Sequence, residues 1–468
     1  MNKKYKDLST NTLIFMISNF GSKLISFFLV PLYTYVLSTT EYGLVDLVTT
    51  TVQLLVPVLT LNVQDAVLRF SLDDEYKKEN VLKVATRIIA LSSMALLIML
   101  GTVWALNIVQ LNSSYLTFLF ASYFVGSLYN TLTMYLRASD KMKLIAVSGV
   151  INTAVTCLLN IVLLLAVKIG VTGYMIANVS GMLIADIIMI TNGGVLKNLR
   201  EANFDRKIAK PMILYGLPLV VNSIAWWINN ASDRYILSYF CGAAINGIYA
   251  VSYKIPTILA MIQNTFYNAW SVSAITEFDE DDKDGFIGNV YSMYSAVCVI
   301  SSSLIMLLNI FIAKLLYAKE FFQAWKYVPF LLVGTVFSGL GLFIGCIFTA
   351  VKQTKDISST TFTGAIVNTI LNFMLIPWIG ALGAAIATMI GYLTTFTMRL
   401  IKVRKIIRMQ VGWKNQILSF IVLLAQCIVA TYTSKQVFQV IFLVLQIIIN
   451  KIVIADILIF IKNRLKRT

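Results

Sequence analysis

The chain has 468 residues, of which 58% are apolar and only 13% are Asp, Glu, Lys or Arg. A soluble domain carries about 25% charged residues and could not cover this much apolar surface. The composition therefore excludes a soluble multidomain protein and predicts an all-α, polytopic membrane protein. The net charge of +16 does not indicate a nucleic-acid partner, because cytoplasmic loops of membrane proteins also collect Lys and Arg.

Apolar runs bounded by charges or turn residues predict about fourteen transmembrane helices. They lie near 10–37, 42–68, 81–108, 114–137, 144–167, 171–193, 211–239, 246–276, 286–313, 325–351, 357–378, 380–401, 415–433 and 437–461. With the N-terminus inside, 29 of the 38 Lys and Arg residues fall in cytoplasmic segments and five on the outer side. This asymmetry predicts cytoplasmic N- and C-termini in the cell membrane.

Two segments, 159–181 and 371–391, resemble each other and predict an internal repeat. When they are aligned, three pairs of small or polar residues coincide: Asn160 with Asn372, Gly173 with Gly383, and Gly181 with Gly391. Six spans per repeat make the two halves parallel. The predicted domains are two six-helix bundles, 1–200 and 201–408, and two extra C-terminal helices in 409–468.

Helix-breaking residues occupy corresponding spans of the two halves. Spans 1 and 7 contain proline, and spans 2 and 8 contain Pro57 and Pro256. Paired interruptions of this kind are expected along a transport path. Span 10 carries four glycines that would permit either bending or close helix packing: Gly334, Gly339, Gly341 and Gly345.

Four basic residues are counted inside predicted spans, where a charge at the bilayer centre costs at least ~2.5–3.5 kcal/mol; Lys451, in the last span, is interpreted as peripheral, and the other three lie in the repeated halves. These three are Lys23, Arg234 and Lys254. We expect them to face an aqueous cavity between the halves, with acidic candidates at Asp46, Asp65, Asp186 and Asp233. Each charge could instead form a structural ion pair, and the spacing of Asp65 and Arg69 is typical of a helical pair.

A cavity with several cations suits an anion. At ~4 Å and an effective dielectric constant near 20, one cation–phosphate pair contributes ~4 kcal/mol before desolvation. Aromatic residues in the same spans, among them Tyr249, Tyr253 and Trp270, could stack on sugars or lie at the membrane interface. The sequence has no histidine, and its five cysteines are isolated in apolar stretches. No metal site, cofactor or catalytic residue is therefore predicted.

Two segments carry a family resemblance. NTLIFMISNFGSKLISFFLVPLYTYVLSTTEYGLVDL and YGLPLVVNSIAWWINNASDRYILSYFCGAAINGIYAVSYKI, continuing to Asn268-Ala269-Trp270, resemble bacterial polysaccharide repeat-unit flippases (Wzx type). These flippases belong to the multidrug, oligosaccharidyl-lipid and polysaccharide exporter superfamily.

The resemblance implies a fourteen-helix flippase that moves undecaprenyl-diphosphate-linked oligosaccharide from the inner to the outer leaflet by alternating access. Such a protein serves the synthesis of surface polysaccharide (O-antigen, capsule or exopolysaccharide). Lys23, Arg234 and Lys254 would then meet the diphosphate. Asp46, Asp65 and Asp186 are the candidates to carry a coupled proton or sodium ion. Membrane lipids and a polysaccharide polymerase are the further expected partners.

Two related transporters remain as alternatives: a lipid II flippase of the MurJ type and a cation-coupled multidrug antiporter. An antiporter for organic cations should have an acidic rather than a basic cavity. A membrane enzyme is not expected, because the longest segment between predicted spans, about 194–210, leaves no room for a catalytic domain.

Overall fold

A computed structural model describes residues 27–73, 75–107, 112–433 and 435–456. Within these ranges the regular structure is entirely helical, with no strand. Ten helices of the described residues are long and apolar enough to cross a membrane. The predicted all-α, polytopic membrane class is therefore confirmed, whereas the count of fourteen spans stays a prediction.

The chain divides into two compact units, Met1–Ala231 and Ser232–Thr468. The predicted three-part division stays a prediction. The helices of unit 1 are α1 (Val30–Val36), α2 (Thr39–Leu59), α3 (Val63–Ser71), α4 (Lys78–Ala105), α5 (Ser113–Ala138), α6 (Met142–Ile161), α7 (Gly170–Asn192) and α8 (Val195–Glu201). The helical segment α9 (Arg206–Ser252) begins in unit 1 and ends in unit 2.

Helix α5 lies at the centre of unit 1 and packs against α2, α3, α4 and α7. One apolar cluster around Ala66, Leu82 and Leu136 fills one end of the unit, and a second around Val48, Leu96 and Tyr123 fills the other. The outward-facing residues of α4, such as Leu97 and Ile98, are exposed. Apolar side chains on both faces are expected of a helix between a protein core and lipid.

Within the described residues, unit 2 contains the end of α9, a 3₁₀ helix at Lys319–Lys326 and seven further α-helices. They are α10 (Pro256–Thr276), α11 (Phe286–Leu316), α12 (Val328–Ala350), α13 (Thr354–Ile379), α14 (Ala381–Val403), α15 (Trp413–Tyr432) and α16 (Gln436–Ile449). Helix α12 is central. In its most apolar stretch of 18 residues, 83% of the residues are buried, and the helix packs against α10, α11, α14 and α15.

Close packing rather than bending explains the glycines of α12, which runs unbroken from Val328 to Ala350. A Cβ atom at Gly334 would lie 3.3 Å from the Met389 backbone of α14. One at Gly345 would lie 3.1 Å from the Nη1 atom of Arg399. The packing alternative for these glycines is therefore confirmed.

The predicted span 42–68 is wrong as a single helix. The capping box of Ser38 and Glu41 starts α2 at Thr39, but the helix ends at Leu59, two residues after Pro57. The backbone then turns through Leu61 and Asn62, which have φ values of 53° and 51°. A second short helix, α3, continues to Ser71.

The corresponding interruption lies in the predicted span 246–276. Helix α9 ends at Ser252, and α10 begins at Pro256, where proline needs no backbone hydrogen bond. Helix α9 itself is broken at Gly242, which has φ 84° and ψ 165°. The predicted interruptions near Pro57 and Pro256 are thus confirmed.

The two segments of the predicted internal repeat each form a helix hairpin, α6–α7 in unit 1 and α13–α14 in unit 2. Each hairpin turns at a glycine with positive φ, 54° at Gly170 and 57° at Gly380. Asn160 and Asn372, on the first helix of each hairpin, are both fully buried.

The second helix of each hairpin approaches the first through a paired glycine. A Cβ atom at Gly181 would lie 2.7 Å from Asn152 Oδ1, and one at Gly391 would lie 2.9 Å from Asn368 Cβ. The spacing of small residues in the two segments therefore reflects the same close helix contact.

Candidate functional site

Of the three predicted cations, Lys23 lies outside the described residues. Arg234 lies in α9 and is half-buried, with its guanidinium 5.3 Å from the ring centre of Tyr253. Lys254 lies in the turn between α9 and α10 and is also half-buried. Its ammonium forms no ion pair with any described residue.

Asp233 is the centre of a buried hydroxyl network in unit 2. The carboxylate is only 3% exposed. Its Oδ2 atom accepts hydrogen bonds from the hydroxyls of Tyr249 (2.7 Å), Tyr253 (3.0 Å) and Thr388 (3.4 Å). Its Oδ1 atom accepts the backbone N–H of Arg234 at 2.9 Å. Hydroxyl and amide donors together satisfy this carboxylate, as a buried charge requires.

The network extends along the hairpin α13–α14. Asn368 donates from Nδ2 to the Thr388 hydroxyl (3.3 Å), and Asn372 donates to Asn368 Oδ1 (2.7 Å). This polar row joins the repeated asparagine to Asp233 and Arg234. Asp233 and Arg234 were both predicted as site residues from the sequence. Thr388 and Asn368 were not, because they lie far from them along the chain.

Two of the aromatic residues have a structural role that was not predicted. Tyr249 is fully buried and binds Asp233. Trp270 is 3% exposed, stacks on Phe343 at 4.2 Å and donates its indole N–H to the Phe343 carbonyl. Both rings are therefore packed inside the protein in this structure, and neither is exposed for stacking on a sugar.

The candidate acids of unit 1 occupy three different environments. Asp46 is half-buried in α2. Asp65 lies in the first turn of α3, where its carboxylate accepts a hydrogen bond from Asn62 Nδ2 at 2.7 Å. Asp186 lies in α7, is 1% exposed, and neither carboxylate oxygen has a hydrogen-bond partner among the described residues.

The alternative of an Asp65–Arg69 ion pair is not what the structure contains. Arg69 Nη1 instead pairs with Asp73 Oδ2 at 3.2 Å, again at a spacing of four residues. The break at Asn62 places Asp65 at the start of α3, where an acidic side chain favours the positive end of the helix dipole. Asp65 is thus a helix-terminal group in this structure.

Helix α10 carries an exposed polar stripe that was not predicted from the sequence. Asn264, Tyr267 and Asn268 are exposed and Ser271 is half-buried. Amide groups are costly in lipid, so we expect this stripe to face water. The spacing of positions 264, 268 and 271 was a detectable signal, because residues four and three apart share one helix face.

Arg399 is a second feature that was missed. It was counted with the basic residues of the inner loops, but it lies in α14 and is only 5% exposed. The guanidinium donates to the Gly341 carbonyl at 2.6 Å, to Thr360 Oγ1 at 3.1 Å and to Thr361 Oγ1 at 2.9 Å. Residues 388, 391, 395 and 399 share one buried face, and that spacing could have revealed it.

The described residues contain no group of three or more His, Cys, Asp or Glu side chains that could hold a metal ion. Their polar chemistry consists of buried hydroxyl and amide groups around isolated charges. This arrangement can recognise a polar or charged molecule inside a membrane protein.

A family model described as "Polysaccharide biosynthesis protein" matches residues 8–272, more than half of the chain. The chain belongs to this family. An uncharacterized membrane protein of Methanocaldococcus jannaschii is 24% identical over 263 residues, which are 53% of this chain and 51% of that protein. The chain thus spans about half the length of the curated relative that it matches.

The fold of this polysaccharide biosynthesis family protein resembles those of solved transporters. The structure of lipid II flippase MurJ in an inward closed conformation matches with a TM-score of 0.71 and 14% identity, over 97% of this chain and all of MurJ. An inward-facing multidrug resistance MATE family transporter of the MOP superfamily matches with a TM-score of 0.64 and 14% identity, over 88% and 96%. Both of these solved neighbours are named as a flippase or a transporter.

Proposed function

We propose that this protein is a flippase that moves undecaprenyl-diphosphate-linked oligosaccharide repeat units from the inner to the outer leaflet of the cell membrane by alternating access. The observation that carries the proposal is the family match over residues 8–272 in a chain of many apolar helices. The transported units would serve O-antigen, capsule or exopolysaccharide synthesis, and a polysaccharide polymerase would receive them.

The diphosphate is proposed to bind the cations of α9 and of the turn that follows. Lys254 supports this assignment, because a half-buried ammonium without an ion pair among the described residues keeps its charge available for an anion. Arg234 is held 5.3 Å from the Tyr253 ring centre, which fixes the position of its guanidinium. Lys23 is proposed as the third member of the set.

The sugar units are proposed to pass along the polar stripe of α10. Amide and hydroxyl groups can donate and accept hydrogen bonds, which suits sugar hydroxyls. Asn264, Asn268 and Ser271 supply such groups on one face of the helix. The stripe carries no net charge, so it would discriminate little between different neutral sugars.

A coupled proton or sodium ion is proposed to bind an acidic residue of unit 1. Asp186 is the best supported of the candidates, because both of its buried carboxylate oxygens lack a hydrogen-bond partner among the described residues. Asp46 and Asp65 remain further candidates. Asp233 is a weaker one, since hydroxyl donors already occupy its Oδ2 atom.

Export in a host that lacks its own repeat-unit flippase tests the proposal. Lys254→Ala and Arg234→Ala should each reduce surface polysaccharide at least tenfold, since each removes a cation–phosphate pair of several kcal/mol before desolvation. Lys254→Arg, which keeps the charge, should be milder. Surface polysaccharide is measured by immunoblot, with the amount of protein in the membrane measured in parallel.

Lys451→Ala is the matched control, because Lys451 is an exposed cation near the C-terminal end of the described chain. It should leave export unchanged. Wild-type export by the double variant Arg234→Ala, Lys254→Ala would refute the proposed role of the cations.

A lipid II flippase is the second candidate, favoured by the fold match to MurJ over 97% of the chain. Both substrates carry a polyprenyl diphosphate, so the cation variants do not separate them. Rescue of a strain depleted of its lipid II flippase does. Rescue of that strain, together with failure to restore surface polysaccharide, would replace the first proposal with the second.

A further inference from the structure

Arg399 brings an uncompensated positive charge into unit 2. Its hydrogen-bond acceptors are backbone carbonyls and threonine hydroxyls, and no carboxylate of the described residues pairs with it. Asp356, which lies close to these acceptors in the chain, pairs with Lys402 at 2.6 Å instead. The guanidinium is therefore held in place by neutral groups, and its charge remains to act on its surroundings.

A cleft opens beside this charge, between the C-terminal ends of α10 and α12. Its volume is about 360 Å³, and it is lined by Tyr267, Ser271, Ile275, Thr276, Cys346 and Thr349. In the predicted topology the cleft faces the cytoplasmic side.

Arg399 lies beside one wall of the cleft, and that wall carries polar side chains. Tyr267 and Cys346 both line the cleft, and Cys346 directly follows Gly345, which packs against the Arg399 guanidinium. Gly345 keeps space for the guanidinium, since a Cβ atom there would lie 3.1 Å from Nη1. No lining residue is acidic. At the rim, the exposed Glu277 follows α10 and Lys352 follows α12.

We propose that this cleft is an anion site for a phosphate or diphosphate group, polarised by Arg399 and completed by the hydroxyls of Tyr267, Ser271 and Thr349. Arg399 acts as a positioning residue, through its field and through the polar wall. Hydroxyl groups donate hydrogen bonds to phosphate oxygens, and a nearby fixed cation favours the anion in a site of low dielectric constant.

The diphosphate of a membrane lipid and a free phosphate share this chemistry. The inference rests on the proposed flippase function in one respect: a lipid-linked diphosphate in the inner leaflet would dock in this cleft. The stripe of α10 contributes Tyr267 and Ser271 to the cleft. A headgroup held here would therefore lie at one end of the proposed sugar path.

The local potential can be measured by the charge selectivity of thiol labelling. Cysteine replaces the exposed Ile275, which lines the cleft but is not one of the proposed donors, in a chain with Cys157, Cys241 and Cys346 changed to serine. Labelling rates are compared for anionic sulfonatoethyl and cationic trimethylammonioethyl methanethiosulfonate, in purified full-length protein in nanodiscs. Arg399→Gln should lower the anionic-to-cationic rate ratio about five- to tenfold, because local potentials in such clefts reach a few kT.

Two controls separate the field of Arg399 from a folding defect. Arg399→Lys keeps the charge and should keep most of the preference. Ser271→Asp places a carboxylate in the cleft without touching Arg399 and should abolish the preference, whereas the neutral Ser271→Asn should not. A cysteine at Thr191, exposed in unit 1, should show the same ratio with and without Arg399.

Protection from labelling tests whether an anion occupies the cleft. The probes are inorganic diphosphate and nanodiscs that contain a polyprenyl diphosphate. Protection by both supports an anion site open to free phosphates, and protection by the lipid alone supports a headgroup site in the membrane. Absence of protection by either probe overturns the proposal, as does an unchanged rate ratio in Arg399→Gln.

The failure of this inference and that of the proposed function are distinguishable. An unchanged ratio in Arg399→Gln removes the cleft site but leaves the export experiments standing. Wild-type export by the Arg234→Ala, Lys254→Ala variant removes the proposed role of those cations and does not affect labelling at position 275.

Discussion

The hydroxyl network around Asp233 makes a quantitative prediction about a buried charge in unit 2. Tyr249 donates to Asp233 Oδ2 at 2.7 Å, across the break at Gly242. Both residues are buried, with Asp233 3% and Tyr249 0% exposed. We expect the pair Asp233→Asn and Tyr249→Phe to show a large coupling in a double-mutant cycle.

The magnitude follows from the charge of the acceptor. A hydrogen bond to a charged group contributes about 1.5–3 kcal/mol, whereas hydrogen bonds between helices of membrane proteins average about 0.6 kcal/mol. An ionised Asp233 should therefore give a coupling of about 1.5–3 kcal/mol with Tyr249. The single variant Tyr249→Phe should be destabilised by a similar amount, because a donor is lost from a buried carboxylate.

The assay is equilibrium unfolding in mixed micelles with increasing sodium dodecyl sulfate, which gives the free energy of unfolding for each variant. Tyr327→Phe is the control. The Tyr327 ring lies 6.4 Å from the ring of Tyr249, but its hydroxyl does not bind Asp233. A cycle of Asp233→Asn with Tyr327→Phe should give a coupling near zero, since the Tyr327 hydroxyl donates no hydrogen bond to Asp233.

A coupling at or below the membrane average of about 0.6 kcal/mol would refute the reasoning. That result would mean that Asp233 does not carry its charge in the folded protein. A neutral Asp233 would then not stabilise the positive charge of Arg234, although the Arg234 backbone N–H donates to the same side chain.

Two further predictions concern the repeat and the topology. Gly181→Ala and Gly391→Ala should each lower the free energy of unfolding by about 1–3 kcal/mol, because the added Cβ overpacks a helix contact; Gly101→Ala, with no atom within 4 Å of its Cβ, is the control, and equal stability of all three would contradict the shared hairpin packing. A cysteine at Ala243 should be labelled from outside intact cells by an impermeant thiol reagent, whereas one at Asn203 should not, after native Cys241 is removed. The reverse labelling pattern would overturn the predicted orientation.

Local pattern accounts for the success of the sequence in placing helices and repeats. Span boundaries such as 286–313 and 380–401 were predicted to within a few residues of α11 and α14, because a lipid environment demands long apolar runs. The glycine and asparagine pairs also succeeded. The close contact of α6 with α7, and of α13 with α14, joins neighbouring segments of the chain.

Charges inside spans were harder to interpret, because their partners come from distant segments. Lys402 and Arg404 made Arg399 look like one more inner basic residue, yet its acceptors are Gly341 and Thr360 on other helices. Pro57 predicted an interruption of span 42–68 but not its position, because proline alone does not determine that the helix ends at Leu59 and the backbone turns at Asn62.

The sequence by itself determined the membrane class, the order of the helices and the repeat, because each follows from apolar length or from the spacing of small residues. Only the tertiary structure decided which charges are satisfied. Thr388 reaches Asp233 from 155 positions along the chain, and Gly345 leaves room for the guanidinium of Arg399. Burial and pairing of a charge depend on which helices meet, and no local pattern specifies that meeting.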